Sequence, residues 1–200
     1  YPGARCDVES LQYSYSFSPE LDQEWTWTEK YAPQPEILAY ANHVADRFDL
    51  RRHILFDTRV MAATFDETAN CWRIETDRGD KVSAKFCIMA VGCLSAANHV
   101  PFKGREDFQG PVYHTGEWPH EGVDFTGLRV GVIGTGASAI QFMAPVAERA
   151  SQVTLFQRTA PYVLPKPDRK ITRAEHWMHR DIPFARKLVR GTVYSVFESL

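Results

Sequence analysis

Apolar and polar positions change their spacing along these 200 residues, and each change marks a different kind of element. Ile37, Leu38, Ala41, Val44, Ala45 and Phe48 recur at the interval of a helix face. Glu36 to Phe48 is therefore expected to be an amphipathic helix, with Pro35 near its first turn, where a missing N–H costs little. From His53 to Gly92 the interval shortens to that of strands. Arg59 to Phe65, Cys71 to Thr76 and Lys81 to Phe86 are parted by Asp-Glu-Thr-Ala-Asn and Asp-Arg-Gly-Asp turns, which predicts a β-meander. Phe86 to Val91 is continuously apolar and ends at Gly92, the pattern of a buried strand closed by a turn. Farther on, Leu128 to Ile133 reads as a strand, Ala137 to Arg149 as a helix and Gln152 to Gln157 as a second strand. Three prolines between Pro161 and Asp168 break the pattern. Thr172-x-x-Glu175 then has the form of a capping box opening a helix, and 184–200 returns to roughly helical spacing.

The turn after the strand at 128–133 carries Gly134-x-Gly136-x-x-Ala139. The first glycine permits a tight bend and the second lets the backbone approach a pyrophosphate, while Ala139 is small enough for close packing of helix on strand. Gly134, Thr135, Gly136, Ala137, Ser138, Ala139, Ile140 and Gln141 are thus candidates for a dinucleotide site, in which free N–H groups and the helix dipole would hold phosphate. Taken alone, such a turn suits a plain structural bend equally well. At the end of the next strand an NAD-specific site would present a carboxylate to the ribose. Arg158 and Thr159 stand there instead, and a guanidinium with a hydroxyl suits the 2′-phosphate of NADP better than a surface role alone explains.

Upstream of the turn lies Phe108-x-Gly110-x-x-x-His114-x-x-x-Trp118-Pro119. This run resembles the fingerprint of the Baeyer–Villiger monooxygenases, which use FAD, NADPH and dioxygen to convert ketones to esters or lactones. The resemblance implies an α/β fold of paired dinucleotide-binding (Rossmann-like) domains with a β-meander and a helical insertion. It divides the chain into part of an FAD-binding domain (1–98), a linker with the fingerprint (99–120), and part of an NADP-binding domain (121–200). His114, Trp118 and Pro119 would join domains rather than transfer protons. The opening Pro-Gly-Ala-Arg-Cys-Asp is similar to a segment that follows the FAD turn in the same enzymes. By that resemblance Arg5, Cys6 and Asp7 lie near the nicotinamide, Asp7 and Tyr13 touch the flavin, and Val60 meets its adenine end. Asp7 would also orient a catalytic arginine that this chain does not contain. Ala90-Val91-Gly92 departs from the family's usual Ala-Thr-Gly and lacks its hydroxyl. With no glycine turn before Gly134 and no initial methionine, the chain is expected to be an internal piece, inactive alone.

Composition narrows this picture without changing it. A hydrophobic share of 44% excludes a disordered chain, and a net charge of −2 argues against a nucleic-acid or anionic-membrane partner. The partners expected are a small ketone and dioxygen, with no assignment of oligomeric state. No run approaches the roughly 20 apolar residues of a membrane span, and a signal-peptide pattern is absent from the first residues, so the cytoplasm is the default location. Cys6, Cys71, Cys87 and Cys93 form no C-x-x-C pair; neither a disulfide framework nor a zinc site is expected, and Cys87 reads as a buried thiol. His176 and His179 lack a further ligand at metal spacing. Trp25, Trp27 and Tyr31 read as packing residues ahead of a substrate pocket. Two alternatives stay open: a flavin monooxygenase acting on nitrogen or sulfur, and an NADPH-dependent flavin disulfide reductase or non-catalytic NADP-binding fragment.

Overall fold

A computed structural model describes residues 1–163, 165–182 and 184–198. Its helices are α1 (Ser10–Tyr13), α2 (Pro19–Glu24), α3 (Gln34–Arg47), α4 (Ala137–Ala147), α5 (Arg173–Asp181) and α6 (Ala185–Glu198). The strands are β1 (Val60–Asp66), β2 (Cys71–Thr76), β3 (Lys81–Ala84), β4 (Arg129–Ile133) and β5 (Gln152–Phe156). The chain divides into two compact units. One combines 1–44 with the chain from Trp118 onward; the other is 45–117.

In the first unit β4 and β5 pair in parallel, Arg129 opposite Gln152 through Ile133 opposite Phe156, with α4 as the crossover. Ala139, Phe142 and Val146, spaced by three and four, put one face of α4 into a core with Phe125 and Val132. The partly buried Val130 and Val153 pack against the same cluster. α4 ends at Ala147, two residues before the expected Arg149, with Pro145 in its last turns. β5 likewise stops at Phe156, one residue early.

The opening helices were not legible in the sequence. Ser18 caps α2 by accepting from the Leu21 N–H (3.2 Å), with Pro19 in first position, and Leu21 is fully buried. Trp25 and Trp27 pack with Tyr40 of α3 (ring centroids 5.3 and 5.1 Å), and Trp27 Nε1 donates to Ser14 Oγ (2.8 Å). Trp27 and Tyr31 are buried. α3 begins at Gln34, ahead of the expected Glu36, and buries Tyr40 and Val44 while leaving Leu38 exposed. The proline-rich stretch is followed by a return of the chain to residues 28–30, where Lys30 N donates to Arg169 O (2.8 Å) and Ile171 N to Thr28 O (2.9 Å). α5 opens on the expected capping box, in which Glu175 N donates to Thr172 Oγ1 and Thr172 N to Glu175 Oε2. From α6, Arg186 reaches Asp22, Trp25 O and His179 O, and Arg190 reaches Leu11 O and Ser14 O. Burial pushes the Arg186 guanidinium and the His179 imidazole below their usual ranges, with Asp22 opposing at the arginine. The last two residues of the 184–200 stretch lie outside the described residues.

The second unit is the expected meander, with order β1-β2-β3 and both pairs antiparallel. Asp66 Oδ1 accepts from Thr68 N (2.9 Å) and Ala69 N (3.0 Å), closing the first turn, and Asn70 takes a left-handed φ of 49°. Gly79, at φ 84°, shapes the second turn. The expected strand at Phe86–Val91 does not form. Residues 86–91 have no ladder partner among the described residues, and Phe86 (77% exposed), Ile88, Met89 and Val91 face solvent. An apolar run becomes a strand only when neighbouring strands accept its N–H groups and cover its faces. Cys87 is accordingly only half-buried, against the expected burial. Gly92, at φ 72°, does turn the chain.

Candidate functional site

Gly134 leaves β4 with φ 105°, a conformation that L side chains rarely adopt, and a Cβ there would meet no heavy atom within 4 Å. The constraint at Gly134 is therefore backbone shape rather than crowding. Its N–H donates to Phe156 O (3.0 Å), tying the turn to the end of β5. Gly136 is the N-cap of α4 and, being glycine, offers no side-chain cap to that terminus. The first N–H groups of an α-helix have no intrahelical acceptor, so this end can take an anion, and a pyrophosphate fits that donor set. Thr135 Oγ1 reaches Thr159 O (3.5 Å). The turn, Arg158 and Thr159 thus share the carboxyl edge of one parallel strand pair, with Arg158 exposed.

Of the turn residues, Ala139 faces the core and Ile140 faces outward (44% exposed). Gln141 points to the opening segment: its Nε2 donates to Arg5 O and Asp7 Oδ1, both at 3.3 Å. Arg5, Asp7 and Gln141 are thereby brought together. The Tyr13 phenol joins them through the Asp7 backbone; burial raises its pKa, against the opposing effect of that hydrogen bond.

Two residues sit differently from a simple ligand picture. Cys6 is buried (1% exposed), its N–H donating to Ala32 O (2.9 Å) and its carbonyl accepting from Lys166 Nζ. Burial, opposed by a separate hydrogen bond from the Ala32 backbone to the sulfur and by the nearby Lys166, pushes the thiol up, so at neutral pH it is a packed, protonated group. The Arg5 guanidinium is held by Asp168 and, at 3.4 Å, by Glu29. Asp168 also accepts from Tyr31 N (3.2 Å), and Lys166 Nζ lies 4.5 Å from the centre of the Tyr31 ring. Sequence reasoning missed Glu29, Lys166 and Asp168. Asp168 lies 163 residues from Arg5, and no local pattern signals a contact so distant.

The fingerprint crosses the division between the units, which falls between Glu117 and Trp118. Within 45–117, a Cβ on Gly110 would sit 2.8 Å from the Phe108 ring, an exposed side chain with room to shift. Gly116 N donates to His114 Nδ1 (3.0 Å), leaving the proton of the neutral ring on Nε2, and the His99 ring lies 5.2 Å away. In the first unit, Trp118 packs edge-on against Phe142 (5.2 Å) and near Phe125 (6.0 Å), while Pro119 O accepts from Gly122 N (3.0 Å). Val60 stands on β1, exposed, in the unit 45–117. The four cysteines are free. Among the described residues no His, Cys, Asp and Glu cluster suits a metal ion, and no helix is long and apolar enough to cross a membrane.

Comparison with known proteins places this geometry. Residues 9–180 match the family described as pyridine nucleotide-disulphide oxidoreductase. The chain is 48% identical over 165 residues to a Baeyer–Villiger monooxygenase of Pseudooceanicola batsensis, covering 82% of this chain and 30% of that protein. It is 40% identical over 174 residues to a phenazine N-monooxygenase of Lysobacter antibioticus, covering 87% of this chain and 32% of that protein. A solved structure of an oxidized steroid monooxygenase bound to NADP superposes with a TM-score of 0.88 at 56% identity, covering 95% of this chain and 36% of the other. The chain thus spans about a third of the length of these relatives. It belongs to the pyridine nucleotide-disulphide oxidoreductase family and is a homologue of its Baeyer–Villiger monooxygenases.

Proposed function

We propose that the protein carrying this chain is an FAD- and NADPH-dependent monooxygenase that inserts one atom of dioxygen beside a ketone carbonyl, giving an ester or lactone. The observation that carries the reading is the shared carboxyl edge of β4 and β5, where an uncapped helix N-terminus, Gly134 at φ 105° and Arg158 stand together. The relatives named above and the Phe108 to Pro119 run support it. When bound, the flavin and nicotinamide supply the redox and oxygen chemistry. The turn residues from Gly134 to Ile140 hold the pyrophosphate, Arg158 and Thr159 the 2′-phosphate, and Arg5, Cys6 and Asp7 border the nicotinamide, Cys6 through its backbone. Asp7 and Tyr13 face the flavin, Val60 its adenine end, and Asp7 orients an arginine supplied by another part of the protein. In this reading 1–98 is part of an FAD-binding domain, 99–120 a linker and 121–200 part of an NADP-binding domain, in a cytoplasmic protein. The 200 residues alone are inactive.

Oxygenation of nitrogen is the second reading, favoured by the similarity to a phenazine N-monooxygenase. Product analysis separates the two. The intact flavoprotein, given NADPH with cyclic, linear and aryl ketones alongside amines, sulfides and N-heteroaromatics, is expected to form esters or lactones. N-oxides or sulfoxides without any ester would replace the first reading by the second.

A further inference from the structure

We propose that Gln141 is a positioning residue: its side-chain amide fastens the Arg5–Asp7 segment to α4 and so sets where Asp7 stands beside the nicotinamide end of the site. A primary amide offers two donor hydrogens and two acceptor positions. All four are used: Oε1 accepts from Tyr1 OH (3.1 Å) and Arg5 N (3.3 Å), and Nε2 donates to Arg5 O (3.3 Å) and Asp7 Oδ1 (3.3 Å). Two of these bonds engage the N–H and C=O of the same residue, as a neighbouring strand would. A saturated amide has no hydrogen-bonding position left for a cofactor, so its influence on the reaction runs through Arg5 and Asp7.

The backbone of the same residue forms a second contact. Pro145 has no N–H to return to the Gln141 carbonyl four residues earlier, so that oxygen lacks its usual helical donor. Gly3 occupies the space instead. It has φ 80°, and a Cβ on it would lie 2.2 Å from Gln141 O and 3.1 Å from Pro145 Cγ, so only glycine lets the opening turn come this close. Gly3, Gln141 and Pro145 are therefore parts of one joint between the Pro-Gly turn and α4.

The catalytic consequence rests on the function proposed above; the joint itself does not, and the test separates them. In the intact protein, hydrogen exchange at the Arg5 amide, measured with and without NADP, is expected to be roughly tenfold or more faster in Gln141→Ala, which removes the acceptor of that N–H; Gln141→Glu keeps an acceptor but cannot donate to Arg5 O or Asp7, and its charge beside the Asp7 carboxylate is expected to open the same contact. Gln141→Asn, one methylene short, is expected to behave like the alanine variant. Wild-type exchange in all three overturns the proposal. In anaerobic reduction of the flavin by NADPH, Gln141→Ala is expected to slow the saturated rate roughly tenfold or more by displacing Asp7, with NADPH affinity within about twofold. Gly3→Ala should give the same defect, and the double variant should be no slower than the slower single, as for two parts of one joint. Weakened NADPH binding with an unchanged saturated rate, or additive losses, would make Gln141 an ordinary cofactor ligand. Failure of the wild-type flavin to accept electrons from NADPH would instead remove the monooxygenase reading, leaving hydrogen exchange to decide the joint.

Discussion

The two units of this chain are stabilised by different means. The unit of 1–44 and 118 onward holds every buried apolar residue among those described, from Cys6 and Leu21 through Phe142 and Val146. The unit of 45–117 holds none; its order comes from ladder hydrogen bonds and Asp- and Gly-shaped turns, and its apolar side chains from Phe86 to Val91 stand in solvent. Local hydrogen bonding suffices to define a meander, but it leaves an apolar run uncovered, because burial needs a second layer. The candidate cofactor edge lies in the unit with the core, as a site that depends on fixed geometry requires.

The largest test of this contrast is Phe142→Ala. It removes a ring packed against Phe125 and Trp118 and is expected to cost about 3–5 kcal/mol in denaturant unfolding. Phe65→Ala, whose ring is exposed and packs against a partly exposed Trp72, should cost well under half of that; equal losses would show a core in both units. Next, Arg158→Ala should weaken NADPH binding by roughly 1.5–3 kcal/mol in titration, the range for hydrogen bonds to charged groups, and leave NADH within about 0.5 kcal/mol. Equal losses for both cofactors would detach Arg158 from the 2′-phosphate.

Thr172→Ala removes a capping-box partner and should lower stability by about 1 kcal/mol. The same cap has a pH signature. The Arg169 hydrogen bond holds the Glu175 carboxyl well below the usual carboxylate range; burial opposes it, and the Thr172 hydrogen bonds add to the lowering. A depressed folded-state pKa contributes stability that is complete above the ordinary glutamate value of 4.5 and is lost as pH falls below it. Glu175→Gln is expected to flatten that acid-side loss in unfolding midpoints taken between neutral pH and the acid limit of folding; an unaltered slope would exclude Glu175 as its source. The smallest effect should come from Ile88→Lys, about 0.5 kcal/mol or less in these 200 residues because the side chain is already exposed. The same change in an intact protein should be severely destabilising if 86–91 is a covered strand of an FAD-binding domain. Indifference there too would dismiss that assignment.

Patterns with a short reach were read correctly. The meander, the glycine turn between β4 and α4 and the Thr172 capping box are each set by residues within one turn or hairpin of each other, so propensity and spacing suffice. Errors arose wherever the deciding partner was distant. Phe86 to Val91 had the composition of a buried strand and, among the described residues, no strand to pair with, and α3 turned its Tyr40 face inward because Trp25 and Trp27 pack there. The site divides the same way. Gly134, Gly136 and Arg158 are candidates that spacing alone can place at a turn and a strand's end, since both are local properties. That Asp168 and Glu29 hold Arg5, and that Gln141 joins the opening turn to α4, followed only once the chain had folded: side-chain contacts across 24, 163 and 136 residues are specified by packing, which no local pattern encodes.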